Sequence, residues 1–151
     1  MPALISWWRQ DLADLIPFAL DDAVQAAGTD LLRRWGQPQR RYHRTTHLVE
    51  LFWALEELED GEGLDAHDAL LGRVAGWFHD AVYLPLAPSG ANEADSARLA
   101  ASTLTDLGAE AADRDLVERL VHLTATHHGA DLTPLDQAFL DADLWILSAD
   151  A

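Results

Sequence analysis

The chain contains no cysteine and no lysine. Without cysteine there are no disulfides, no thiolate zinc site and no thiol nucleophile, and the redox compartment is left open. Without lysine, every cationic side chain at neutral pH is an arginine, ten of them against 26 acidic residues. An anionic ligand must therefore be met by Arg, by His, by a metal or by backbone N–H groups. Long apolar runs are absent too. No stretch of about 18 uncharged apolar residues occurs, so no membrane span is expected. Residues 1–10 lack a basic segment followed by an apolar stretch, so no secretory signal is read, and the cytoplasm is the expected location. No segment alternates with period two for long enough to suggest a strand. Internal repeats and low-complexity tracts are missing as well.

What is present is enough for one domain with a real core: 151 residues, 49% of them apolar, six of them Trp. The net charge of −16 repels nucleic-acid backbones and anionic membranes, so neither is expected as a partner. The ordinary use of such acidity is solubility.

The periodicity is helical throughout, and Gly and Pro punctuate it. Helices are expected over Leu4–Leu15, before Pro17, and over Asp21–Trp35, stopped by Gly36-Gln37-Pro38. A third covers Thr46–Leu58, where Leu48, Leu51, Phe52, Leu55 and Leu58 share one face, and Asp60-Gly61-Glu62-Gly63 closes it. A fourth runs from Asp68 to about Val82, before a loop rich in Pro and Gly. A fifth covers Asn92–Leu107 and a sixth Arg114–His127; a seventh opens with Thr133 as N-cap and Pro134 at the first helical position. The expectation is an all-α, single-domain bundle of about six or seven helices.

Three groups of residues carry chemistry. His79-Asp80 follows the apolar run from Leu70 to Phe78. Two ionisable groups beside such a run are costly unless satisfied, and a metal ion suits a neutral imidazole beside a carboxylate. A buried His bonded to a neighbour, beside an ordinary acid, is the plainer alternative. His43 and His47, four apart, share a face if their stretch is helical. Asp141 and Asp143 lie in the apolar segment Phe139–Leu147, where an acid is expected to cap, pair or ligate.

In order, the segments are Arg40-Arg41-Tyr42-His43-Arg44-Thr45-Thr46-His47, then Trp77-Phe78-His79-Asp80-Ala81-Val82-Tyr83, then Asn92-Glu93-Ala94-Asp95-Ser96-Ala97, then Thr126-His127-His128 and Asp141-Ala142-Asp143-Leu144. This pattern resembles the HD superfamily of metal-dependent phosphohydrolases, and within it a small bacterial branch of predicted HD phosphohydrolases. The likeness spans Trp35 to Leu147. It implies an HD-type domain over 1–151, with N-terminal helices in 1–36 and the HD core in 40–147. Two departures stand out. Members usually carry Asn where this chain has Arg44, and they usually add a helix beyond the last motif, whereas this sequence stops at Ala151.

The resemblance implies His47, His79, Asp80 and Asp143 as metal ligands, with Asp141 the alternative to Asp143. Two imidazoles and two carboxylates suit one divalent ion, and Mn, Co, Fe, Ni, Mg and Zn are not distinguished. Glu93 is the candidate general acid or base, with Asn92 orienting it or the substrate; the first-turn position also suits Glu93 simply as a dipole-favoured acid. Asp80 is a second candidate to hold the nucleophilic water. Arg40, Arg41 or Arg44 would grip phosphate, and His43, His127 and His128 would line the substrate site. The activity implied is hydrolysis of a small phosphate ester, a nucleotide among the candidates. The alternatives are an HD-type di-iron oxygenase and a non-catalytic, metal-stabilised ligand-binding domain. A homodimer is compatible with the sequence.

Overall fold

A computed structural model describes residues 2–41 and 44–149 of the chain. They form seven helices and, among the described residues, no strand: α1 (Pro2–Leu15), α2 (Asp21–Trp35), α3 (Thr45–Glu62), α4 (Ala66–Phe78), α5 (Ala91–Leu107), α6 (Ala111–Leu123) and α7 (Pro134–Ala149). The all-α single-domain expectation holds. No helix is long and apolar enough to cross a membrane among the described residues.

Helix α4 is the centre of the bundle. Every residue from Val74 to Phe78 is buried, and α1, α3, α5, α6 and α7 all pack on it. Gly76 lets α3 come close to α4: a Cβ there would stand 2.6 Å from Leu51 Cδ2 on α3. Three fully buried tryptophans tie the N-terminal helices to this centre. Trp8 packs edge-on against Trp77 and Phe78, with ring centroids 5.6 and 5.9 Å away. Its indole N–H donates to the Val24 carbonyl at 2.7 Å. Trp35, the last residue of α2, donates to the Trp77 carbonyl at 2.9 Å. Each of these rings removes a large apolar surface from water while its one polar atom stays bonded.

Helix boundaries differ from the sequence expectation in three informative places. Helix α3 runs on to Glu62, because Gly63 supplies the left-handed residue (φ 67°) that ends it. Helix α4 ends at Phe78, not near Val82, so His79 and Asp80 lie just past the helix. Helix α6 ends at Leu123, and His127 sits beyond it with φ 54°. Elsewhere the punctuation reads as expected. Pro134 opens α7, and Thr133 caps it: the Asp136 amide donates to the Thr133 hydroxyl at 3.2 Å, and the Thr133 amide donates to the Asp136 carboxylate at 2.9 Å.

Candidate metal centre

His47, His79 and Asp80 bring one donor atom each within 4.8 Å of one another, and a third part of the chain sets Asp143 against the two imidazoles. His47 comes from the first turn of α3, His79 and Asp80 from the end of α4, and Asp143 from α7. Nε2 of His47 lies 3.1 Å from Nε2 of His79. Asp143 Oδ1 is 3.3 Å from both nitrogens. Asp80 Oδ2 is 3.3 Å from His79 Nε2 and 3.7 Å from His47 Nε2. Donors bound to one ion at about 2.1 Å stand roughly 3.0–3.4 Å apart at octahedral to tetrahedral angles. The separations seen match that range, with the His47–Asp80 distance slightly wide.

The orientation of His79 fits a ligand. Its Nδ1 lies 2.8 Å from the Gly76 carbonyl, an acceptor only, so Nδ1–H donates there and Nε2 is the nitrogen that faces the cluster. A backbone carbonyl holding the far side of a metal-binding imidazole is the usual supporting contact. Trp35 and Phe139 fix the ring from its sides, at centroid distances of 5.4 and 6.2 Å.

Electrostatically the cluster calls for a cation. Burial by itself would lower the His79 pKa, yet the Asp80 and Asp143 carboxylates carry it well above the ordinary imidazole value. Burial would raise Asp143, but His79, His127 and His47 together hold it far below the usual carboxylate range. A site that draws positive charge this strongly takes either a proton on imidazole or a metal ion. Exposure is low but not zero, with His47, Asp80 and Asp143 side chains at 10%, 18% and 11%.

The other residues singled out in the sequence separate clearly. Asp141 is exposed and accepts a hydrogen bond from Gln137 at 2.9 Å; it is not part of the cluster. His127 stands beside it, with Nε2 2.7 Å from the second oxygen of Asp143. It touches a candidate ligand, and its side chain remains partly exposed. His128 and His122 are exposed, and neither bonds a cluster residue among the described residues. His43 lies outside the described residues.

Two expectations need correction. Arg40 is not available to grip phosphate: it is fully buried, and its guanidinium donates to the carbonyls of Arg34 (2.7 Å), Asp80 (2.7 Å) and Ala81 (3.0 Å). Asn92 does not orient a catalytic Glu93. Its side-chain oxygen accepts from the Leu84 amide at 3.0 Å and its nitrogen donates to the Leu84 carbonyl at 3.1 Å. Glu93 is half-buried in the first turn of α5 and has no bond to the cluster among the described residues. Arg41 and Arg44 are exposed, Arg44 at the N-cap of α3 with its Nε on the Arg40 carbonyl at 2.8 Å.

Sequence reasoning missed Trp35 and Ser96 as supports of the site. Ser96 Oγ accepts from the Val82 amide at 3.0 Å. Its position four residues after Asn92, on the same face of a helix, was the available signal.

Compared with family models, with curated proteins and with solved structures, the chain matches none of them.

Proposed function

We propose that this chain is an HD-type metal-dependent phosphohydrolase that acts on a small phosphate ester through one divalent ion held by His47, His79, Asp80 and Asp143. The observation that carries the reading is the convergence of those four donors from α3, α4 and α7 within 3.1–3.7 Å of His Nε2 atoms. The ordered pattern of His, His-Asp and Asp that resembles the HD superfamily points to the same four residues.

A divalent ion in such a site acidifies a bound water and polarises a phosphoryl oxygen. The chain's own residues do the rest. His79 presents Nε2 because its Nδ1–H donates to the Gly76 carbonyl. Asp80 and Asp143 are the acceptor-only oxygens that hold an attacking water in place. His127, hydrogen-bonded to Asp143, is the nearest group able to carry a proton toward a leaving oxygen. His47 sits in the first turn of α3, where the helix dipole favours an anion. Arg41 and Arg44 are the exposed cations on the same stretch of chain and are the remaining candidates to meet a phosphate. A second metal would need more imidazoles. Of His122, His127 and His128, only His127 bonds a cluster residue among the described residues, which favours one ion over a di-iron oxygenase site.

The test is metal analysis followed by a phosphate-release assay with Mn, Co, Fe, Ni, Mg and Zn against a panel of phosphate esters and nucleotides. Release that disappears in Asp143→Asn and His79→Ala supports the proposal. Metal binding without phosphate release from any substrate would favour a non-catalytic ligand-binding domain, and two irons per chain would favour the oxygenase.

A further inference from the structure

The end of α4 and the loop after it are held by side chains as much as by the main chain. A helix leaves its last carbonyls without amide partners, and here they can be followed one by one. The Ala75 carbonyl accepts the His79 amide at 2.9 Å. Gly76 accepts His79 Nδ1 at 2.8 Å. Trp77 accepts the Trp35 indole at 2.9 Å. Phe78 accepts the Ala81 amide at 2.9 Å. In the loop beyond, the Asp80 and Ala81 carbonyls accept from the two terminal nitrogens of Arg40 at 2.7 and 3.0 Å. Val82 is then pinned by Ser96 and Leu84 by Asn92.

We infer that Arg40 is a positioning residue of the candidate metal centre, its fork on the Asp80 and Ala81 carbonyls fixing the main chain that carries the Asp80 carboxylate. The inference rests on the metal-site reading above and adds the residue that makes Asp80 a stationary ligand. Three features support it. The guanidinium packs on two aromatic rings, 5.4 Å from the centroids of Trp35 and of Tyr83, which restrict its movement. Its Nε is fixed to the Arg34 carbonyl at the end of α2, so the loop is tied to a rigid helix rather than to another loop. Finally, both terminal nitrogens of the fork are spent on consecutive main-chain carbonyls of the loop, bonds that an apolar side chain filling the same volume could not make. Two parallel donors to consecutive carbonyls need the planar fork of Arg, which Lys does not have.

The experiment is calorimetric titration of the full chain with Mn(II), comparing the native chain with Arg40→Lys and with Tyr83→Leu, which removes one ring of the sandwich and leaves the bonds in place. Leu12→Ala, a core truncation on α1, serves as the control for lost stability away from the loop. Circular dichroism and thermal unfolding without metal accompany each variant. Supporting contacts of a metal ligand typically set 10–100-fold in affinity. Arg40→Lys is expected to weaken Mn(II) binding by about 10-fold or more, Tyr83→Leu by less, and Leu12→Ala not at all while folded. Folded Arg40→Lys that binds Mn(II) as tightly as the native chain would overturn the inference and leave the metal reading intact. If Arg40→Lys does not fold, unchanged affinity in Tyr83→Leu overturns it. A native chain that binds neither Mn(II) nor other divalent ions would remove the metal reading and this inference together.

Discussion

Asp141 and Asp143 are two residues apart, and the fold makes opposite use of them. Asp143 Oδ1 lies 3.3 Å from both cluster nitrogens and its Oδ2 accepts from His127, whereas Asp141 is exposed beside Gln137. The perturbation is therefore a matched pair, Asp143→Asn and Asp141→Asn, read by thermal unfolding with and without Mn(II). At a free ion concentration 100 times its dissociation constant, binding stabilises the native chain by about 2.7 kcal/mol. A domain of this size shifts by roughly 2–4 °C per kcal/mol, so the native melting temperature should rise by about 5–10 °C. Asp141→Asn should keep that rise and change metal-free stability by no more than about 0.5 kcal/mol. Asp143→Asn should abolish most of the rise. It should also lower metal-free stability by about 1.5–3 kcal/mol, because it weakens the charge-assisted bond to His127. A rise retained in Asp143→Asn and lost in Asp141→Asn would refute the assignment. A native chain that gains nothing from any divalent ion would refute the centre itself.

Further outcomes follow from other parts of the fold. Burial pushes the Asp136 pKa up, but the Arg119 guanidinium and the Thr133 amide and hydroxyl outweigh it and hold the carboxyl below its ordinary value; its stabilising contribution is present above that ordinary value and is lost as pH falls through the depressed one, so urea unfolding at pH 7 and at about pH 2–3 should show Asp136→Asn flattening the acid loss. Gly76→Ala places a Cβ 2.6 Å from Leu51 and should cost about 1–3 kcal/mol by overpacking, seen as a lower urea midpoint. Trp35→Phe leaves the buried Trp77 carbonyl without its 2.9 Å donor and should cost about 1–3 kcal/mol in the same measurement.

The helices were legible because their signals are local. Leu48, Leu51, Phe52 and Leu55 form the buried face of α3 as their spacing requires, and Thr133-Pro134 caps α7 where the two residue types demand it. The ends of α4 and α6 were not legible, and both errors have the same origin. Propensity continues a helix until a breaker appears, and Pro85 and Gly129 stand several residues too late. What stops α4 at Phe78 is a set of partners from elsewhere in the chain. Trp35 is 42 residues away from the carbonyl it takes, and Arg40 is 40 and 41 away from its two. No window of sequence contains both members of such pairs.

The same distance accounts for the misassigned arginine and asparagine. A cation near His residues in a chain without lysine reads naturally as a phosphate ligand, and an Asn beside a Glu as part of a proton relay. Both side chains are instead used up on main-chain groups of the segment from Asp80 to Leu84. Residue type indicates what a group can do; only its partners show whether it is still available to do it. By that criterion the four cluster residues differ from Arg40 and Asn92. Each imidazole and carboxylate of the cluster has a nitrogen or oxygen turned toward the others, 3.1–3.3 Å apart. That mutual orientation, rather than residue type, is what sets them apart from the arginine and the asparagine.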